Sequence, residues 1–68
     1  MATKTDKVTS EDLRALHDGE TRTFELPNFA AVQSAKSSAY ILGHIEGCRF
    51  ACITDPEKNA ISITRYDR

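Results

Sequence analysis

The stretch between Pro27 and Gly47 constrains the fold most, because a helix-start signal precedes it and a helix-stop signal follows it. Pro27 has no N–H and favours an extended residue before it. Asn28 is a good N-cap, since its side-chain oxygen can accept from an early helical N–H. Gly47 suits the left-handed residue that ends many helices. We therefore predict one helix of roughly 27 Å, at about 1.5 Å per residue.

The apolar residues of this predicted helix recur with a helical period, at about 100° per residue. One side is apolar and small, with Ser38 and Ile45 at its edge, and comprises Ala31, Val32, Ala35, Ala39 and Leu42. The opposite side is polar and comprises Gln33, Lys36, Ser37, Tyr40 and His44. Three alanines on the apolar side let the helix axis lie close to a sheet. Ile41 points toward the polar side, where no other apolar residue covers it.

The remaining segments predict a short helix and three strands. Residues 1–7 form a polar, flexible leader, and Thr9 can cap a short helix that Gly19 ends, with Val8 packing on Leu13. Residues 20–26, 49–54 and 60–66 alternate apolar and polar side chains, which is typical of half-buried strands. A polar turn containing Pro56 joins the last two strands.

These elements predict an α+β fold in the order α-β-α-β-β. A right-handed crossover through the long helix leaves the first and second strands parallel, with space for the third between them. We expect a three-stranded antiparallel sheet of order 1-3-2, with the long and the short helix packed on one face. The expected covered face carries Phe24, Leu26, Phe50, Cys52, Ile61 and Ile63. The other face is expected to stay open and carries Thr21, Thr23, Glu25, Arg49, Ala51, Ile53, Ser62, Thr64 and Tyr66.

Length and charge limit the function classes. The chain of 68 residues allows one domain, which we assign to residues 8–68 after the leader. Nine basic and ten acidic residues give a formal net charge of -1, so bulk charge does not indicate a phosphate-binding protein. No apolar segment has the ~20 residues needed to span a bilayer, and the N-terminus has no secretory pattern. We predict a cytoplasmic protein with no membrane partner.

The cysteines and histidines do not indicate catalysis, a metal or a cofactor. Cys48 and Cys52 are four residues apart in one predicted strand, roughly 13 Å between Cα atoms, which is too far for a disulfide. Their spacing to His44 matches no zinc motif. His44 precedes Cys48 by about one helical turn, but no nucleophile signature surrounds them. We predict a non-enzymatic protein without metal or cofactor.

Two surfaces are candidates for binding nucleic acid. The polar side of the long helix presents Gln33, Lys36, Tyr40 and His44, whose side chains can reach phosphates or base edges. On the open sheet face, Arg49 and Tyr66 can combine a charge with a stacking ring. The alternative interpretation is that the polar side of the long helix has no binding function, because any helix in water exposes a polar side. We predict a small binding module and favour nucleic acid slightly as its partner.

The alternative is a protein-interaction or self-assembly module. An uncovered sheet face bearing Ala51, Ile53 and Tyr66 can accept another protein. The edges of the first and second strands are predicted to be unprotected, which favours strand addition or a homodimer. A homodimer would also compensate for the small core of a short chain.

Four short motifs resemble a group of small bacterial proteins. They are G-E-T-x-T-F at 19–24, S-A-K-S-S-A-Y at 34–40, F-x-C-x-x-D at 50–55 and I-x-I-T-R at 61–65. The group consists of uncharacterised single-domain proteins often found with mobile or phage-derived genes, so the resemblance implies no activity. Such proteins often have more Arg or Lys after the Ala-Tyr pair, where this chain has Ile41 and His44. This departure weakens the nucleic-acid interpretation.

Overall fold

A computed structural model describes residues 3–67. Two helices and four strands follow one another in the order β1 (Thr3–Lys4), α1 (Ser10–Arg14), β2 (Thr21–Glu25), α2 (Phe29–Glu46), β3 (Cys48–Asp55) and β4 (Ala60–Asp67). None of the described helices has the length and apolar composition needed to cross a bilayer.

Helix α2 begins and ends at the residues that the sequence predicts. The side chain of Asn28 accepts a hydrogen bond from the Ala31 N–H at 2.9 Å, which satisfies one of the free N–H groups of the first turn. Gly47 adopts φ 71°, the left-handed conformation that glycine tolerates best, and its N–H bonds to the Gly43 carbonyl. Strand β3 starts at the next residue, so α2 and β3 are joined by one residue.

The three long strands form the predicted antiparallel sheet, in the order β2, β4, β3. Along β2 and β4 the register places Phe24 opposite Ile61, and along β3 and β4 it places Cys52 opposite Ile63. Both registers are regular over the whole length of the strands. Strands β2 and β3 are therefore parallel to each other on either side of β4, as the crossover through α2 predicts.

Strand β1 was not predicted. Thr3 and Lys4 pair in parallel with Phe24 and Glu25, and the Thr5 N–H continues the pairing to the Glu25 carbonyl at 3.0 Å. Part of the predicted leader therefore covers the edge of β2, and the expectation that this edge is unprotected was wrong. Met1 and Ala2 lie outside the described residues, as does Arg68.

Helix α1 is shorter than the sequence predicts. Its capping box is present, since the Thr9 hydroxyl accepts from the Asp12 N–H and the Asp12 carboxylate accepts from the Thr9 N–H. The helix ends at Arg14, because the Leu16 N–H turns back to the Leu13 carbonyl. Gly19 therefore serves the following turn, where its N–H bonds to the Arg65 carbonyl in β4 at 2.6 Å.

The core lies between the two helices and one face of the sheet. Phe24, Phe50, Ile61 and Ile63 are almost fully buried, as predicted, and Cys52 is half-buried. The helices and the residues flanking α1 contribute Val8, Leu13, Leu16, Val32, Ala35, Ala39 and Leu42. Ile45 is exposed, so its predicted place at the edge of the buried side was wrong, whereas Ile41 is exposed as predicted.

The other face of the sheet is open along the described chain. Two pairs of hydroxyl groups bridge neighbouring strands there, Thr21 with Thr64 at 2.6 Å and Thr23 with Ser62 at 2.8 Å. Such cross-strand pairs stabilise the pairing of β2 with β4 without covering the face.

Candidate binding surface

Three of the predicted site residues come together around one hollow. Tyr40 and His44 on α2 and Arg49 on β3 line a space of about 240 Å³, whose floor is formed by Gly43, Cys48 and Phe50. No carboxylate lines this hollow. We call it the α2–β3 hollow. The hollow therefore brings an aromatic ring and an imidazole to the edge of β3 at Arg49, whose side chain lies on the adjoining open face. A ring, an imidazole and a guanidinium on adjoining surfaces suit an anionic or planar group.

A buried glycine makes the hollow. A Cβ atom on Gly43 would lie 2.9 Å from the Cys48 carbonyl oxygen and 3.5 Å from the Phe50 ring. Only a residue without a side chain lets α2 approach the backbone of β3 so closely. The same approach brings Tyr40 and His44 beside the start of β3. A glycine inside a helix costs about 1 kcal/mol relative to alanine, and this cost was the sequence signal for a close contact.

Tyr66 lies next to this site, and the other two predicted residues lie farther along α2. Arg49 and Tyr66 are direct partners in the register of β3 and β4, so both stand on the open face in adjacent strands. Lys36 is half-buried and its charge acts on Cys52. Gln33 is exposed, roughly 10 Å along the helix from Tyr40 at 1.5 Å per residue. The structure therefore groups Tyr40, His44, Arg49 and Tyr66 and leaves Gln33 outside.

Arg49 differs from the other arginines of residues 3–67 in its charge environment. Arg14 pairs with Glu46 at 2.6 Å, Arg22 with Glu20 at 3.6 Å, and Arg65 with Asp67 at 2.8 Å. Within the described residues, Arg49 and Lys36 take part in no ion pair. An exposed guanidinium without an acidic neighbour is available to an external anion.

The cysteines lack the features of a nucleophile. Both are free thiols, and Cys48 is buried. Burial raises the pKa of the Cys52 thiol, and the nearby charge of Lys36 opposes this shift only in part. A raised pKa leaves little thiolate at neutral pH. His44 and Cys48 share the α2–β3 hollow, but no hydrogen bond between residues 3 and 67 joins their side chains.

The described chain offers no metal site, and its largest described hollow has a mixed charge. Among residues 3–67, no group of three His, Cys, Asp or Glu side chains is placed to hold a metal ion. A larger hollow of about 670 Å³ lies between the leader and the turns, but its lysines, Lys4 and Lys58, are offset by Asp6 and Glu25. Its lining therefore has no preferred charge.

Sequence reasoning missed the role of Gly43 but predicted the apolar part of the open face. Ile53 is 74% exposed in the middle of β3, and it is accompanied on the same face by Ala51. Two further exposed isoleucines, Ile41 and Ile45, lie one turn apart on α2. The alternation of β3 did place Ile53 on the open face, so the signal for this patch was present in the sequence.

No protein-family model matches the chain, and no curated protein or solved structure matches it either. The resemblance to proteins encoded with mobile or phage-derived genes therefore stays a prediction.

Proposed function

We propose that this chain is a small non-enzymatic module that binds single-stranded nucleic acid at the α2–β3 hollow and the adjoining sheet face. The observation that supports the proposal is the position of Arg49. Its guanidinium has no ion pair within residues 3–67, and Arg49 lies at the edge of the hollow lined by Tyr40 and His44 and directly opposite Tyr66 in β4. Phosphate groups bind arginine, and unpaired bases stack on tyrosine rings.

The exposure of the rings favours a single strand over a duplex. Tyr40 is 46% and Tyr66 48% exposed, so each ring has a free surface on which a base can stack. Stacking requires bases that are not already stacked in a duplex. The outer side of α2 is poorly suited to a major groove, since Ile41 and Ile45 are among its most exposed residues. Lys36 extends the positive charge along α2 toward a neighbouring nucleotide.

The experiment is fluorescence anisotropy with labelled single-stranded DNA, single-stranded RNA and duplex DNA of mixed sequence. We expect binding to the single strands that weakens steeply with salt, and at least tenfold weaker binding by a Lys36→Glu/Arg49→Glu variant, roughly the effect of losing two phosphate contacts. Tyr40→Leu and Tyr66→Leu should each weaken binding without changing its salt dependence, since they remove stacking alone.

Lys58→Glu is the matched control. It makes the same charge change at an exposed lysine in the turn between β3 and β4, at the other end of the sheet. We expect it to bind nearly as tightly as the wild type. Equal weakening by the control would mean that only net charge matters, and the absence of salt-sensitive binding to any of the three probes would overturn the proposal.

A second candidate function is self-assembly through the uncovered surface of the sheet. The exposure of Ile53 at the centre of β3 favours it, because an isolated small domain gains little from a large apolar side chain in water. Sedimentation equilibrium should then show twice the monomer mass, and Ile53→Asp should return the protein to the monomer. A monomer at every concentration tested would contradict this candidate.

A further inference from the structure

The outer edge of β3 is a strand edge without a partner in the described chain. Strand β3 pairs with β4 along one of its edges, and it is the last strand of the sheet. All eight residues of Cys48–Asp55 are in strand geometry, so the edge is long and regular. Such an edge presents a row of backbone groups that can pair with another strand.

The backbone groups that face outward can be assigned from the bonds of β4. The Arg65 N–H bonds to the Glu20 carbonyl, and the Arg65 carbonyl accepts from Gly19, so both groups of Arg65 point toward β2. Alternate residues of an antiparallel strand face opposite neighbours. Tyr66, Thr64 and Ser62 therefore bond to β3, through Arg49, Ala51 and Ile53. The groups of the intervening residues, Phe50, Cys52 and Thr54, point toward the free edge.

The open-face residues of β3 form a self-complementary series. They are Arg49, Ala51, Ile53 and Asp55, a base, two apolar residues and an acid in that order. In an antiparallel pair of two copies, the outward-facing backbone groups of one strand have to meet the outward-facing backbone groups of the other. Cys52 can therefore lie opposite only those residues whose backbone groups point toward the free edge. One of the allowed registers places Cys52 opposite the partner's Cys52. It then puts Arg49 opposite the partner's Asp55 and Ala51 opposite the partner's Ile53.

The same register agrees with two further features of the chain. Pro56 would lie opposite the partner's Cys48, where its missing N–H ends the pairing. Helix α2 buries Cys48 and Phe50 but leaves Cys52 and Thr54 half-exposed, so it covers only the first half of β3. The covered half of each copy therefore lies against the less covered half of the other.

We propose that a second copy of this chain is the partner of the β3 edge, paired antiparallel about a two-fold axis at Cys52. The inference deepens the second candidate function, since it names the contact and its register, and it does not require nucleic-acid binding. The partner's Asp55 then lies opposite Arg49 on the open face, next to the α2–β3 hollow. A nucleic acid and a second copy accordingly compete for the guanidinium of Arg49.

The decisive experiment is a charge exchange followed by sedimentation equilibrium without nucleic acid. Arg49→Asp and Asp55→Arg each place like charges opposite one another, so each should shift the protein toward the monomer. The double variant Arg49→Asp/Asp55→Arg restores both opposite-charge pairs and should recover the dimer. Glu57→Arg is the control, because it changes the charge of the same hairpin outside the pairing, and circular dichroism checks that each variant is folded.

Disulfide capture tests the register itself. Ala51→Cys and Ile53→Cys are made separately with Cys52→Ser, mixed in equal amounts and oxidised. Two residues that lie directly opposite each other without sharing backbone hydrogen bonds have Cα atoms about 4.5 Å apart, which is within disulfide range. Diagonal neighbours are about 7–8 Å apart. We expect the mixed disulfide to exceed clearly the 1:2:1 proportion that random pairing of an equal mixture gives.

The outcomes separate the two proposals. A wild type that stays monomeric, a double variant that fails to recover the dimer, or a mixed disulfide no more abundant than random pairing gives would overturn edge pairing. None of these results depends on nucleic acid. The double variant should also bind single strands more weakly than the wild type while keeping the dimer, since its arginine no longer lies beside Tyr66 and the α2–β3 hollow.

Discussion

The two edges of the sheet are protected in different ways. At the edge of β2, Thr3 and Lys4 add a short parallel strand, and the Thr5 N–H donates a hydrogen bond to the Glu25 carbonyl. At the edge of β3, no segment of residues 3–67 pairs with the strand, although it is longer and carries the exposed Ile53. One edge is covered by the chain itself, and the other is not.

This difference is why we propose the β3 edge as the place where a partner binds. Uncovered strand edges are prone to non-specific pairing, and charged side chains and short strands are common ways to limit it. Strand β3 has a charge at each end of its open face, Arg49 and Asp55, and α2 overlies its first half at Gly43. Those features disfavour pairing with most other strands and favour a strand of complementary charge. On the proposal above, the β3 edge therefore selects its partner strand by charge.

The largest effect on this comparison should come from Gly43→Ala, which forces α2 away from the β3 edge. The new Cβ atom would lie 2.9 Å from a backbone oxygen, so the helix or the strand has to move. Overpacking of this kind costs about 1–3 kcal/mol, and it exceeds the gain in helix propensity of about 1 kcal/mol. We expect a clear decrease in the free energy of unfolding in urea.

Ser37→Ala is the control for this variant, since Ser37 is exposed on α2 and its loss should change the stability by less than about 0.5 kcal/mol. If Gly43→Ala were as stable as the wild type, the close contact between α2 and β3 would not exist, and the α2–β3 hollow would lose its structural basis.

Thr5→Pro should weaken the protection of the β2 edge. Proline has no N–H, so the bond to the Glu25 carbonyl is lost, at a cost of about 0.5–1.5 kcal/mol. With β1 loosened, β2 presents a second uncovered edge, and sedimentation should detect species larger than those of the wild type.

Thr5→Val separates the backbone bond from the side chain. It keeps the N–H and removes only the hydroxyl, which bonds to the Lys7 carbonyl at 2.8 Å. We expect Thr5→Val to lose less stability than Thr5→Pro and to sediment like the wild type. Equal behaviour of the two variants would show that the pairing of β1 contributes nothing to the protection of this edge.

The fold was largely predictable because its signals are local. Asn28 and Gly47 mark the ends of α2, and the alternation around Phe24, Phe50 and Ile63 identifies the covered face of the sheet. Strand β1 was missed because two polar residues carry no periodic pattern, and its pairing depends on a distant strand. The early end of α1 was missed for a similar reason, since Gly19 is used by a contact with β4.

The candidate site was predictable only in part. Helical spacing placed Tyr40 and His44 on one side of α2, and strand pairing placed Arg49 beside Tyr66. That these two groups meet follows from the close approach at Gly43, which no local pattern specifies. Gln33 lies on the same side of α2 as Tyr40, but it is too far along the helix axis to reach the hollow. Residues on one side of a helix therefore do not necessarily belong to one site.

The smallest effect concerns Lys36, which lies above the half-exposed part of β3. Burial raises the pKa of the Cys52 thiol and the positive charge of Lys36 lowers it, so Lys36→Gln should raise this pKa further. Alkylation of Cys52, followed by mass spectrometry of its peptide, should then require a higher pH in the variant. Lys58→Gln should leave the alkylation profile unchanged. An unchanged profile in Lys36→Gln would mean that the charge of Lys36 does not reach the Cys52 thiol, at the less covered half of β3.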